Sequence, residues 1–208
     1  DEMVPTLIEH PSWLKPVATV FNFIETYPGY RERDVSPVFY VFLVLFYGMI
    51  IGDAGYGLVF LSIFGAVHLI KGAKVPKLPM MLMYVFNAAA VVWGALTGAW
   101  FGIDIDGTVF EQIAVISADN PKDQMALMMI ICFTIGGVQM SIAHLWNFVC
   151  KINSLKAISE IGWLMTLWAA YFLAMNVIAG VEYPSFMTYV GGAGILLSLI
   201  FSGDLTNV

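Results

Sequence analysis

Apolar residues fill the chain from Phe39 to Ile70 almost without a break, and one acid, Asp53, lies near the middle of this run. The run is longer than the about 20 residues that cross a bilayer as a single helix. Glycines interrupt it on both sides of the acid, at Gly52, Gly55 and Gly57. We therefore predict two short membrane spans, at 38–52 and 55–70, which form a helical hairpin that turns at Asp53.

Four further apolar segments follow the predicted hairpin. Their expected bounds are 79–103, 125–150, 158–180 and 183–201. The pattern therefore predicts an all-α fold, a polytopic membrane helix bundle with six transmembrane helices within residues 38–203. Residues 204–208 are expected to begin a truncated connection to further helices.

The first 37 residues have a different character, being mixed in polarity and rich in proline. Apolar residues recur there at helical spacing, at Val17, Val20, Phe21 and Ile24. This spacing predicts a short amphipathic helix. We interpret residues 1–37 as the end of a cytoplasmic domain followed by an amphipathic lead-in to the membrane, within a longer protein.

The positions of the basic residues predict the orientation of the spans. Of the nine Lys and Arg residues, all but Lys122 lie before the first span or in the connections after the second and fourth spans. Cytoplasmic loops of membrane proteins carry an excess of Lys and Arg. Both ends of this segment are therefore expected to be cytoplasmic.

Composition excludes several classes of function. Hydrophobic residues make up 60% of the chain and charged residues only 12%, which is typical of an integral, multi-pass membrane protein. The net charge of -6, without a basic patch, argues against nucleic acid as a partner. Because the chain has no nucleophile motif, phosphate loop or zinc signature, we expect a non-catalytic protein with no cofactor and no metal site.

Glycines at four-residue spacing predict close packing between helices. Gly48 and Gly52 show this spacing in the first span, and the third span repeats it at Gly94, Gly98 and Gly102. Small residues allow helix backbones to approach each other in a membrane. Together with Gly55 and Gly57, these residues form the predicted packing set.

Five polar residues within or beside the spans are candidates for lining an ion path or for structuring the hairpin: Asp53, Tyr56, Gln139, His144 and Glu160. The Asp53 carboxylate either accepts backbone N–H bonds within the glycine turn or forms the entrance of an ion path. Gln139 either bonds across the bundle or lines a hydrated path. Glu160 follows Ser159, a good N-cap residue, and a carboxylate there favours the start of a helix. His144 lies near the predicted cytoplasmic interface.

The run from Phe46 to Gly57, FYGMIIGDAGYG, resembles the F-x-G-x-x-x-G-D-x-G-Y-G signature of the membrane subunit called a, or I in prokaryotes, of rotary V/A-type ATPases. Further stretches resemble the same family in the same order, at Tyr27–Pro37, Gly94–Gly102, Gly137–Phe148 and Ile161–Trp163. One departure is Val35, which stands where that family usually has a proline.

The resemblance implies a stator subunit that supplies half-channels for protons or sodium ions and couples their passage to ATP hydrolysis or synthesis. It implies three partners: a proteolipid rotor ring, peripheral stalk subunits bound through a cytoplasmic domain, and the lipid of a prokaryotic plasma membrane. In that family an essential arginine lies in the seventh helix. Because no arginine follows Arg33, the resemblance places that residue beyond Val208.

Two other functions are compatible with the residues alone. The first is a secondary transporter, since such proteins also use short, glycine-interrupted helices. This interpretation predicts an internal repeat of the 52–57 break, and no second copy is visible in the sequence. A purely structural membrane scaffold predicts that loss of the intramembrane polar residues leaves ion flux unchanged.

Overall fold

The structure, a computed structural model, describes residues 10–25, 33–118 and 120–202. The rest of the predicted lead-in, residue 119 and the predicted connection 204–208 lie outside these ranges. All regular structure in the described ranges is helical, which confirms the all-α class. The α-helices there are α1 (Val17–Phe23), α2 (Ser36–Ile51), α3 (Ala54–Lys71), α4 (Lys77–Thr97), α5 (Pro121–Cys150), α6 (Lys156–Ala179) and α7 (Phe186–Ser202).

Four of these helices, α3, α4, α5 and α6, are long and apolar enough to cross a membrane. The helices α2 and α7 are also apolar but have only 16 and 17 residues. The described chain thus has the helices of a membrane bundle. The count of six spans stays a prediction, because it depends on the two shorter helices.

The described helices form two compact units, one that contains α1 to α4 and one that contains α5 to α7. In the first unit α4 is the central helix, since α2 and α3 both pack mainly against it and α1 also contacts it. A cluster of buried apolar side chains joins these helices. It consists of Leu14, Val17, Tyr40 of α2, and Leu82 and Phe86 of α4. The two helices predicted to form a hairpin, α2 and α3, thus both pack on a third helix, and the hairpin itself stays a prediction.

Glycines explain how closely α2 and α3 approach α4. A Cβ atom on Gly48 would lie 2.9 Å from the carbonyl oxygen of Ala89. A Cβ atom on Gly57 would lie 2.9 Å from the backbone nitrogen of Val91. In the other direction, Gly94 of α4 lies directly against the backbone at the start of α3. These contacts leave no room for a side chain, as expected for small residues between packed membrane helices.

Other glycines of the predicted packing set lie in turns instead. Gly52 ends α2 with a left-handed φ of 65°. The helix α4 ends at Thr97, not at Ile103, because Gly98 takes a left-handed φ of 74°. Gly102 follows with a φ of 69°. Non-glycine residues rarely adopt this conformation. Gly52 and Gly98 therefore terminate α2 and α4, and Gly102 shapes the turn that follows α4. These three glycines thus lie in turns and not within the helices, where the packing prediction had placed Gly98 and Gly102.

In the second unit α6 is the central helix, with α5 and α7 packed against it. Gly162 of α6 and Gly194 of α7 face each other, and a Cβ atom on either would lie 2.7 Å from the carbonyl oxygen of the other. Hydroxyl groups accompany this contact: Ser198 donates to the Gly194 carbonyl at 2.8 Å, within its own helix. The α6–α7 contact is therefore a small-residue interface.

Candidate functional site

Asp53 is the N-cap residue of α3 and connects two parts of the first unit. Its Oδ1 accepts a hydrogen bond from the Tyr56 backbone N–H at 2.9 Å. Its Oδ2 accepts a second bond from the Phe101 backbone N–H at 2.7 Å, in the segment that follows α4. Both carboxylate oxygens thus bind main-chain donors. This geometry corresponds to the structuring role considered for Asp53, extended to a segment far along the chain.

Further contacts complete this Asp53 junction, which we define as Asp53, Ala54, Gly55, Tyr56 and the turn 98–101. The Ala54 N–H donates to the Ala99 carbonyl at 2.9 Å, beside the carboxylate bond. A Cβ atom on Gly55 would overlap the ring of Phe101. The half-exposed Tyr56 ring meets the same ring edge to face, with centroids 5.1 Å apart. The predicted residues Asp53, Gly55 and Tyr56 therefore act together on one turn.

Three polar side-chain pairs connect α5 to α6. Thr134 Oγ1 and Tyr171 OH lie 2.8 Å apart. The indole N–H of Trp168 donates to Ser141 Oγ at 3.1 Å. His144 Nδ1 and Glu160 Oε2 lie 2.8 Å apart at the end nearest the α5–α6 connection. Polar contacts of this kind hold membrane helices together when apolar attraction between them is weak.

Glu160 is the most deeply buried ionisable side chain of these pairs, with 5% of the residue exposed. Its Oε1 accepts a hydrogen bond from Lys151 Nζ at 2.6 Å, and its Oε2 faces His144. Lys151 keeps 43% of its side chain exposed, so it pairs with the buried acid and still reaches solvent. We call His144, Lys151 and Glu160 the Glu160 cluster. A buried carboxylate left without such partners would be strongly destabilising.

The capping role predicted for Glu160 is not the one the structure shows. The helix α6 begins at Lys156 with Leu155 at the N-cap position, so Ser159 and Glu160 already lie inside the helix. Ser159 Oγ donates to the Lys156 carbonyl at 2.8 Å.

Lys151 is a residue of the site that the sequence analysis did not identify. The signal was present, since this lysine follows α5 directly and lies nine positions before Glu160, across a short helix connection.

Gln139 lies apart from these pairs, on a wide apolar groove between α5 and α6. The groove has a volume of ≈ 520 Å³, and Leu167, Ala170 and Tyr171 of α6 are among the residues that line it. Gln139 is half-buried there, and none of the residues that the structure describes is hydrogen-bonded to its side chain. The cross-bundle bond considered for Gln139 is therefore not formed within the described chain.

Asn87 is a buried polar residue that sequence reasoning did not single out. It is fully buried in α4, where its Nδ2 donates to the Met83 carbonyl at 2.7 Å and its Oδ1 has no partner among the described residues. Gly57 of α3 packs beside its backbone. The detectable signal was an amide side chain in an otherwise apolar helix.

In the described part of the chain, no group of three or more His, Cys, Asp or Glu side chains is arranged to hold a metal ion.

Comparison with known proteins identifies the family. No protein-family model matches the chain. A protein named V-type ATP synthase subunit I from Borreliella burgdorferi is 34% identical over 189 residues, which cover 86% of this chain. A protein named V-type ATP synthase subunit I 1 from Treponema pallidum is 31% identical over 215 residues, or 97% of this chain. The chain belongs to the subunit I family of V/A-type ATP synthases.

Similarity to the subunit I family extends to archaea. The A-type ATP synthase subunit I of Methanocaldococcus jannaschii is 31% identical over 105 residues, which are 49% of this chain and 15% of that protein. The family predicted from the 46–57 signature is thus confirmed. The chain spans only 30% and 34% of the lengths of the two bacterial subunit I proteins above, about a third of each.

Proposed function

We propose that this chain forms part of the stator membrane subunit of a V/A-type rotary ATPase and contributes side chains to its ion half-channels. Relatives named as ATP synthase subunit I support membership of such a complex. The long apolar helices support a multi-pass membrane location. In this role the chain guides protons or sodium ions and performs no covalent chemistry itself.

The observation that carries the proposal is the burial of Glu160 between two candidate membrane helices. Ionisable residues are costly within a membrane, face the interior of a bundle or an aqueous cavity, and commonly mark ion pathways. Glu160 lies on α6 and contacts His144 of α5 at 2.8 Å, while Lys151 compensates its charge. A carboxylate beside an imidazole is a pair through which a proton can pass.

The five candidate residues divide into two roles under this proposal. His144 and Glu160 form the proton-exchanging pair, and Gln139 supplies a free amide to the groove on the same two helices. Asp53 and Tyr56 structure the start of α3, because both Asp53 oxygens are already bound to backbone N–H groups. Asp53 is therefore assigned to the structure of the turn and not to ion exchange.

The proposed partners follow from the role. A rotating proteolipid ring exchanges ions with the half-channels, and peripheral stalk subunits hold the stator through a cytoplasmic domain. Lipid of a prokaryotic plasma membrane surrounds the helices, with both ends of this segment on the cytoplasmic side. Ion flow through the assembly is coupled to ATP hydrolysis or synthesis on other subunits.

The test is to measure ATP-driven ion uptake and ATP hydrolysis in vesicles that contain the complete complex with Glu160→Gln in the full-length subunit. Glutamine keeps the size and a hydrogen bond to His144 but cannot exchange a proton. We expect uptake per ATP hydrolysed to fall about a hundredfold or more, the lower end of the range for loss of a positioned proton-transfer group. Glu182→Gln is the matched control, because Glu182 is exposed in the connection after α6.

Two outcomes would decide against the half-channel role. Uptake equal to that of the Glu182→Gln complex would show that Glu160 carries no ion. A loss of intact complex, measured by co-purification of the nucleotide-binding and proteolipid subunits, with normal uptake per remaining complex, would favour a scaffold role for the α5–α6 pair. A chain that purifies without any such subunit would contradict the stator proposal as a whole.

A further inference from the structure

A cavity with one polar side and one apolar side lies where α3 connects to α4. Its volume is ≈ 200 Å³, several times the ~30 Å³ that one water occupies. It is lined by His68, Gly72, Val75, Lys77, Met80, Met81 and Tyr84. It belongs to the first unit and shares no residue with the Asp53 junction or the Glu160 cluster.

The polar side of the cavity is held in place by hydrogen bonds. The Tyr84 hydroxyl donates its proton to the Phe64 carbonyl at 3.3 Å, so its oxygen is free to accept. His68 Nδ1 lies 3.1 Å from this oxygen, within hydrogen-bonding distance. The two rings stack with centroids 6.1 Å apart. The His68 ring is therefore fixed on the cavity wall by its contacts with α4.

One lysine lines the cavity and two more lie on the connection beside it. Lys77 lines it, and Lys71 and Lys74 are exposed on the connection beside it. The sequence has no Asp or Glu between Asp53 and Asp104. Within the described residues no acid forms an ion pair with any of these three lysines. The connection thus presents three uncompensated lysines at the ends of two candidate membrane helices.

Exposed apolar residues adjoin the same lysines. Leu69 and Ile70, the residues immediately before Lys71, are 88% and 83% exposed. On α4, Met81 is also exposed and lies on the apolar side of the cavity. A ligand that fits this cavity has a negatively charged group, which contacts the lysines. It also has apolar groups, which contact the exposed helix surface beside them.

We propose that this cavity binds the headgroup of an anionic phospholipid. The negatively charged lipid phosphate contacts Lys77 and His68, and the glycerol occupies the cavity beside Met80 and Met81. The acyl chains then follow the exposed surface that begins at Ile70. Basic side chains next to membrane helices attract anionic lipid in this way. The inference is independent of the half-channel role, since it involves other helices and no ion path.

The test is native mass spectrometry of the full-length protein, purified in detergent and incubated with equal amounts of phosphatidylglycerol and phosphatidylcholine that carry the same acyl chains. We expect phosphatidylglycerol adducts to dominate. Lys77→Gln should weaken them about fivefold, the contribution of one basic side chain near an anionic lipid surface. Lys122→Gln is the matched control, since Lys122 is also exposed but lies at the start of α5 in the other unit.

Three results would overturn the proposal. Equal retention of the two lipids would show that the headgroup charge is not recognised. Equal phosphatidylglycerol binding by the Lys77→Gln and Lys122→Gln proteins would place any lipid elsewhere. Displacement of phosphatidylglycerol by millimolar inorganic phosphate would show that the cavity takes a free anion and not a lipid. Because Lys77 is exposed, its substitution leaves the packing of α4 intact.

Discussion

Asp53 Oδ2 accepts a hydrogen bond from the Phe101 backbone N–H at 2.7 Å, across 48 positions of sequence. The acid that begins α3 therefore also holds the turn that follows α4. Its other oxygen caps α3 through the Tyr56 N–H. From sequence alone, Asp53 could be assigned either to ion entry or to local structure. In the structure it joins the start of α3 to the turn that follows the end of α4.

Asp53→Asn should reduce assembly at least as much as conduction. An asparagine offers one oxygen acceptor, so one of the two backbone N–H groups loses its partner. Loss of such a bond costs about 1–2 kcal/mol of stability. The measurement is the yield of intact complex and the thermal midpoint of the purified protein, with exposed Asp106→Asn as control. Normal yield with abolished pumping would refute the structuring role.

Gly57→Ala and Gly65→Ala form a matched pair on α3. A Cβ atom at Gly57 would meet the backbone of Val91, whereas nothing lies within 4 Å of one at Gly65. We expect Gly57→Ala to lower the free energy of unfolding by about 1–3 kcal/mol through overpacking. Gly65→Ala should be neutral or slightly stabilising, since alanine favours helix. Thermal unfolding in detergent compares the two; equal midpoints would contradict the packing described for α3 and α4.

Lys151 and Glu160 should be energetically coupled. Removing either partner leaves the other without its 2.6 Å contact, while removing both leaves no unpaired charge. A double-mutant cycle with Lys151→Met and Glu160→Gln should give a coupling on the order of 1 kcal/mol. The same cycle with Lys122→Met in place of Lys151→Met should be additive. Additivity in both cycles would mean that the ion pair contributes nothing to stability.

Cys132 and Cys150 provide a test of the predicted orientation. Both lie on α5 and are exposed in the described chain, and their spacing along one helix corresponds to about 27 Å. Cys150 is next to Lys151 at the predicted cytoplasmic end. A water-soluble maleimide should label Cys150 in inside-out vesicles and leave Cys132 unreacted, with Cys150→Ser as control. Labelling of Cys150 only in right-side-out vesicles would reverse the assigned topology.

The helical architecture was largely accessible from sequence, because long apolar runs can satisfy their backbone hydrogen bonds in a membrane only as helices or closed barrels. Ends of helices were less accessible. The predicted third span continued to Ile103, although Gly98 ends α4 at Thr97. Four-residue spacing of glycines is the same whether they pack or turn, and only the backbone φ separates Gly94 from Gly98.

The candidate site was predicted in its parts but not in its connections. Asp53, His144 and Glu160 were all identified as polar residues in apolar surroundings. Their partners were not, because Phe101 binds through its backbone and Lys151 belongs to a connection between helices. A backbone donor leaves no trace in the side-chain pattern. Likewise, the preference of Ser159 for N-cap positions was outweighed by an earlier start of α6 at Lys156.

The central position of α4 determines the order in which the first unit can be completed during synthesis. The helices α2 and α3 leave the ribosome first, yet the surface against which Gly48 and Gly57 pack belongs to a helix that begins only at Lys77. Until α4 has been inserted, these two helices lack their common neighbour. The Asp53–Phe101 bond can form only later still, once the residues beyond Thr97 have emerged. Closure of the Asp53 junction therefore has to wait until α2, α3 and α4 have all been synthesised.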